Sequence, residues 1–225
     1  MKNNTIKIQN LFTLLFISAA MLFTACKKDN GGSTASAHIR IVNAFQGSAA
    51  QDLYLDNVKV NSSAVAYAQN TDYMSAVAGS HTAKFANSGS TTANVSFSLA
   101  LKASGYYTVY YTSNDTTKSA VVTQDRTTSA VTGKAKVRFV LLSSAAASAV
   151  DFGISNASKL VTNLAYKVVS DYYTVDANTA FSLYAAGSQS VLLNIPTSVQ
   201  SGKIYTVYIS GSTALTLSSR VIAEN

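Results

Sequence analysis

Residues 39–42 read Ile-Arg-Ile-Val, and residues 137–140, 98 positions later, read Val-Arg-Phe-Val. Runs this short, rich in β-branched and aromatic residues, have the composition of strands. Working outward, Asp52-Leu53-Tyr54 aligns with Asp151-Phe152-Gly153, Ala66-Tyr67 with Ala165-Tyr166, and Asp72-Tyr73 with Asp171-Tyr172. Further on, Ser104-Gly105 and Tyr107-Thr108-Val109-Tyr110 match Ser201-Gly202 and Tyr205-Thr206-Val207-Tyr208. Matches in one order at a nearly constant offset identify an internal repeat. The copies cover residues 37–126 and 134–225, and residues 127–133 (TTSAVTG) are the linker.

Each copy reads as all-β. Apolar and polar residues alternate in Ile39–Val42, Asp52–Asp56, Val95–Leu101 and Tyr106–Tyr111, a period of two that sends one set of side chains to a core face. On this reading Leu53 and Leu55 point inward while Asp52, Tyr54 and Asp56 point outward. Asp56-Asn57 is a two-residue hairpin turn between Tyr54-Leu55 and Val58-Lys59-Val60. Gly79-Ser80 and Ser104-Gly105 are further turns. The expected fold is two tandem immunoglobulin-like or transthyretin-like β-sandwich modules following a lipoprotein signal peptide.

Arg40-Ile41-Val42-Asn43-Ala44, Asp52-Leu53-Tyr54-Leu55-Asp56, Tyr73 with Ala78-Gly79, and Gly105-Tyr106-Tyr107-Thr108-Val109 together resemble a family of tandem β-sandwich modules. It is a domain of unknown function, number four-three-nine-seven, found in bacterial secreted and lipid-anchored proteins. The resemblance covers nearly all of residues 37–225. The family has prolines between its first two strands, whereas residues 45–51 and 142–149 have none. It implies a fold and supplies no catalytic residues.

The N-terminus carries a different message. Residues 1–10 are polar with two lysines, Leu11–Phe23 is continuously apolar or small, and Thr24-Ala25-Cys26 follows. This is the pattern of a signal peptide, residues 1–25. Its thirteen apolar residues span about 20 Å as a helix, short of the ~30 Å hydrocarbon core. Phe23-Thr24-Ala25-Cys26 resembles a lipobox, in which the Cys26 sulfur takes up lipid (palmitate or a similar acyl chain) and cleavage falls before it. Cys26 is the sole cysteine of the chain, so no intrachain disulfide forms. Residues 26–36 are then the lipidated Cys and a flexible tether containing Gly31-Gly32. Cys26-Lys27-Lys28-Asp29 resembles the surface-export signal of lipoproteins in one large group of gram-negative bacteria. The expected location is the outer membrane, facing the cell surface, with a periplasm-facing position as the alternative.

Charge excludes some partners. Hydrophobic residues make up 48% and charged residues 12% of the 225, enough apolar material for cores. The formal charge is +7, of which Lys2 and Lys7 belong to the leader; 15 Lys+Arg against 10 Asp+Glu remain, an excess of +5. No basic run or nucleic-acid motif appears, which argues against nucleic acid as a partner.

Catalytic chemistry finds little purchase. His38 and His81 have no histidine counterpart in the second copy, and zinc needs three or four ligands, so no metal or cofactor is expected. No G-x-S-x-G stretch occurs. Glu224 is the sole glutamate, and Asp52 and Asp56 lie about 13 Å apart along a strand, too far for a hydrolytic carboxylate pair. The chain therefore reads as not an enzyme. Asp72-Tyr73 and Asp171-Tyr172 read as an acid satisfying turn amides and a tyrosine packing on the sheet. Tyr106, Tyr107, Tyr110 and Tyr111 form the densest aromatic cluster. One alternate pair should face outward if the sheet has a wet side, forming a candidate ligand face, although the second copy has Ile204 and Ile209 in two of these places. Thr116, in Asp115-Thr116-Thr117 at a polar loop tip, is a candidate O-glycosylation site. The expected role is non-enzymatic binding or scaffolding at the envelope, with an envelope protein or glycan as partner. The alternative is a carbohydrate-binding accessory of a glycan-uptake system, which the absence of Trp disfavours.

Overall fold

The computed structural model describes residues 35–114, 116–146 and 149–225. The leader, Cys26, the tether up to residue 34 and Asp115 lie outside the described residues. Among the described residues the protein is all-β, and no helix is long and apolar enough to cross a membrane.

The first half contains β1 (Ser36–Asn43), β2 (Gln51–Leu55), β3 (Val58–Lys59), β4 (Met74–Val77), β5 (Gly79–Asn87), β6 (Ala93–Leu101), β7 (Tyr106–Ser113) and β8 (Lys118–Asp125). The second contains β9 (Lys134–Leu141), β10 (Ala149–Ile154), β11 (Lys159–Ala165), β12 (Tyr173–Asp176), β13 (Phe181–Ala185), β14 (Val191–Ile195), β15 (Ile204–Ser210) and β16 (Ser218–Ala223). Four sheets result, ordered β4-β1-β7-β8 and β3-β2-β5-β6 in the first half, then β12-β9-β15-β16 and β11-β10-β13-β14 in the second. The same plan is drawn twice. The one parallel pair of each half also repeats its register, with Ile39 opposite Tyr107 and Val137 opposite Tyr205.

Each half closes its own core between its two sheets. Ile39, Ile41, Leu53, Phe85, Val109 and Tyr111 meet in the first. Val137, Phe139, Phe152, Phe181, Leu183 and Val207 meet in the second. The Asp56-Asn57 hairpin forms as expected, with φ of 48° and 69° at the two turn residues, the left-handed pair such a turn requires.

Two expectations about outward faces need correction. Asp52 and Tyr54 are 1% and 8% exposed. The Asp52 carboxylate is held inside by Lys59 Nζ at 2.9 Å, Asn61 Nδ2 at 2.9 Å and the Gly89 N–H at 3.3 Å. Asp151 repeats the device, accepting from the N–H groups of Asn163 at 2.8 Å and Gly187 at 3.0 Å. Each aspartate thus ties neighbouring segments to the second strand of its half.

The second correction concerns β1 and β7, which have no wet side. Ile39 and Ile41 enter the first core, while Val42, Ala44, Tyr110 and Val121 project from the other face of that sheet. There they meet Val140, Leu142, Tyr208 and Ile222 of the second half, in a third buried cluster. Strands covered on both faces read as near-continuous apolar runs, which is why β7 is buried from Tyr107 through Thr112.

Candidate functional site

The seam between the halves holds most of the buried charge. Arg138 sits in the middle of β9, its side chain 4% exposed, between Asp125 at 0% and Glu224 at 1%. Its Nη2 pairs with Asp125 Oδ1 and lies 3.1 Å from Glu224 Oε1. Nε donates to Thr206 Oγ1 at 2.7 Å, Nη1 to the Gln124 carbonyl at 2.9 Å, and Nη2 also to Thr123 Oγ1 at 2.9 Å. A guanidinium stays charged and its planar fork suits several fixed acceptors at once.

These contacts are nearly two-fold symmetric. Arg40 occupies in β1 the place of Arg138 in β9, and its Nη1 donates to the Ala223 carbonyl at 2.9 Å as Arg138 does to Gln124. Tyr73 donates its hydroxyl to Asp125 Oδ2 at 2.6 Å, and Tyr172 donates to Glu224 Oε2 at 2.5 Å. Thr108 and Thr206 donate to the same two carboxylates. Arg40 lies 4.0 Å from the Tyr73 ring centre and Arg138 lies 4.8 Å from that of Tyr172. Tyr110 and Tyr208 meet edge to face across the seam at 5.8 Å. Burial first, and then the adjacent carboxylate, holds the Tyr73 hydroxyl far above its ordinary range, so it stays a protonated donor. Burial raises Tyr172 likewise, with Glu224 adding to it against the opposing Arg138. The constellation is enclosed and acts as a clamp. The tyrosines of Asp72-Tyr73 and Asp171-Tyr172 thus pack on the sheets as expected and also bind Asp125 and Glu224. Asp72 and Asp171, by contrast, are exposed and are not among the carboxylates that hold turn amides in the described residues.

The tyrosine cluster is not an exposed face. Tyr107 and Tyr111 belong to the first core at 5% and 1% exposure, and Tyr110 belongs to the seam at 0%. Burial pushes the Tyr111 hydroxyl up to about 12. Tyr106 alone of the four is half-buried, stacked on His38 at 4.3 Å and edge-on to Tyr73 at 5.0 Å. The ladder on which sugar stacking depended is therefore interior, because both faces of β7 are covered. Thr116 is exposed.

Two surface features lie at opposite ends of the strands. The parallel strands β1 and β7, and β9 and β15, end together at one pole of the molecule, where Thr112 Oγ1 donates to the Leu142 carbonyl at 2.7 Å. Loops from both halves converge there around a cavity of about 200 Å³ lined by Phe45, Gln46, Asn114, Ser144 and Ser212. Gln46 Oε1 accepts from the Ser212 N–H at 2.8 Å and its hydroxyl at 3.0 Å, tying the two halves' loops together. Gly211, at φ 127°, leaves only 2.5 Å between a would-be Cβ and the Thr216 carbonyl oxygen, so glycine alone fits this approach. Neighbouring Leu215 is 98% exposed.

At the opposite pole, the edge strands β3 and β4 leave a groove of about 360 Å³ lined by Leu55, Val58, Val60, Ala76, Val77 and His81. His81 Nδ1 lies 2.7 Å from Asp56 Oδ2, and Nε2 lies 2.8 Å from the Val77 carbonyl. Both ring nitrogens face acceptors, so the imidazolium, with two N–H donors, satisfies both and the neutral ring satisfies one. The Asp56 hydrogen bond, aided by the Val77 carbonyl, raises the His81 pKa above 6.5 despite some desolvation. The His81 hydrogen bond and the Thr82 N–H lower that of Asp56 below 3.8. A raised folded-state histidine pKa gives stability that is complete below 6.5 and lost as pH rises through the folded value. The lowered aspartate pKa gives stability present above 3.8 and lost as pH falls through its folded value. The melting-temperature advantage of the wild type over His81→Gln should accordingly peak between about pH 4 and 6.5 and shrink toward pH 9. An advantage that stays constant over that range would remove the charged clip.

Among known families, the model described as Domain of unknown function (DUF4397) matches residues 37–153. The match runs through the linker and ends within β10, taking in Arg138. No curated protein matches the chain.

Proposed function

The chain belongs to the DUF4397 family, and we propose that it is a lipid-anchored envelope protein whose two immunoglobulin-like sandwich modules act as one rigid, non-enzymatic binding or scaffolding body. The carrying observation is the pole where loops of both halves are fastened to each other through Gln46 and Ser212. Loops held on a rigid frame are a common location for binding residues. The buried charges of Arg138, Asp125 and Glu224 are engaged in joining the halves, which suits a body that presents a surface. The solitary Cys26 and the apolar leader support the anchor, and Cys26-Lys27-Lys28-Asp29 supports outer-membrane display at the cell surface. In this reading the exposed Thr116, beside the same pole, carries O-glycan.

The test has two arms. The wild type should stay in the washed membrane fraction and be digested by protease on intact cells, while Cys26→Ala should leave the membrane. Persistence of Cys26→Ala in membranes would sink the anchor. A photo-crosslinker at Leu215 should give a discrete envelope adduct, whereas one at Val191, on the edge strand β14, should give none. Equal adducts from both positions, or none from either, would remove the loop pole as the binding surface.

A further inference from the structure

The pole where β1 begins combines features that the loop pole lacks. Ser36 opens β1, and Cys26 precedes it by ten residues, which span at most about 33–36 Å when fully extended. Around this point the chain returns repeatedly. The Ser104 N–H donates to the Ser36 carbonyl at 2.7 Å, the His38 N–H to Gly105 at 2.8 Å, and the Lys136 N–H to Lys203 at 3.0 Å. Arg126 and Lys136 line a single open groove with Ser104, Gly105 and Tyr106. Lys102 is exposed on the turn leading to the same Ser104-Gly105. The nearby acids are already engaged: Asp125 and Glu224 in the seam, Asp56 with His81, and Asp176 with Lys134 at 2.6 Å.

Apolar side chains stand out from the same pole. Val58 is 71% exposed and Val77 is 51% exposed, both on the β3–β4 groove, and Val77 pairs with Ser36. Val131 in the linker is 69% exposed, and its carbonyl accepts from the N–H of Lys134 at the start of β9. Leu215 shows that apolar exposure alone does not select this pole. The junction of the tether with β1 at Ser36, beside Lys102, Arg126 and Lys136, does.

We propose that this pole is a docking surface for an anionic lipid bilayer, with Lys102, Arg126 and Lys136 over the headgroups and Val58, Val77 and Val131 at the interface. The proposal builds on the lipid-anchor reading, since the tether keeps the pole within reach of the membrane. It adds a second, electrostatic attachment that orients the molecule, with the joined loops pointing away. Basic residues near an anionic membrane surface each add a modest attraction that salt screens over about 10 Å.

The test uses the chain from Lys27 onward, produced without leader or lipid, and vesicles with and without phosphatidylglycerol in phosphatidylcholine. Binding is expected only to the anionic vesicles and should weaken with salt. Lys102→Glu/Arg126→Glu/Lys136→Glu should lower it about a hundredfold or more, with circular dichroism confirming the fold. Lys118→Glu/Lys167→Glu/Arg220→Glu, which changes the charge equally at or toward the loop pole, should leave it nearly unchanged. Failure of the wild type to bind, no loss in the first variant, or equal loss in both variants would overturn the proposal. Because this protein lacks Cys26, such a failure is separate from failure of the anchor, which the fractionation of Cys26→Ala reads.

Discussion

Arg138→Met is expected to lower the unfolding free energy by about 3–5 kcal/mol, the usual cost of removing one partner from a buried ionic cluster. The substitution keeps most of the side-chain volume, so the loss comes from leaving Asp125 and Glu224 facing each other without a cation. Urea unfolding followed by circular dichroism would measure it. Arg40→Met should cost less, about 1–2 kcal/mol, because Arg40 offers one backbone hydrogen bond and a Tyr73 ring contact. Replacing the cluster as a whole, with Asp125→Leu and Glu224→Leu added to Arg138→Met, should recover much of the loss. Equal effects at Arg40 and Arg138 would show that the carboxylates do not depend on the guanidinium between them.

Phe139→Ala should cost a similar amount, about 3–5 kcal/mol, for a different reason. The ring is fully buried, stacked on Phe152 at 4.5 Å and edge-on to Phe181 at 5.5 Å, so truncation leaves a cavity between the sheets of the second half. The next residue, Val140, is part of the seam. Loosening β9 therefore weakens the surface on which the first half rests, and both halves should unfold in one transition at lower urea. Two separated transitions, with the first half unaffected, would mean that the seam contributes little to cooperativity.

Much of the architecture was legible because the repeat and the period-two runs report the same strands independently. The Asp56-Asn57 hairpin was legible because two adjacent left-handed residues have few sequence solutions. The wet side of each sheet was not. Alternation distinguishes two faces of a strand, but it cannot say that the second half covers the outer one, and so Tyr106, Tyr107, Tyr110 and Tyr111 read as a candidate ligand face. A signal for the seam did exist in the sequence. Arg40 and Arg138 stand amid apolar residues at corresponding places, and each copy ends with an acid, Asp125 or Glu224. An arginine buried in a strand needs acceptors, and one such acid stands at the end of each copy. The joined loops left no such trace, since Gln46 and Ser212 are ordinary loop residues until the fold brings them to 2.8 Å.

The near-symmetry of the seam has a further consequence for assembly. Two like faces on separate chains would pair only as fast and as fully as their concentration allowed. Carrying both faces on one chain makes the encounter intramolecular, at an effective concentration on the order of millimolar for a short connection. The stoichiometry is then fixed at synthesis. It also frees the two faces from identity: Arg138 reaches both acids while Arg40 reaches a carbonyl and a ring. A true homodimer would have to build both sides alike, whereas this chain can place different loops side by side at its far pole.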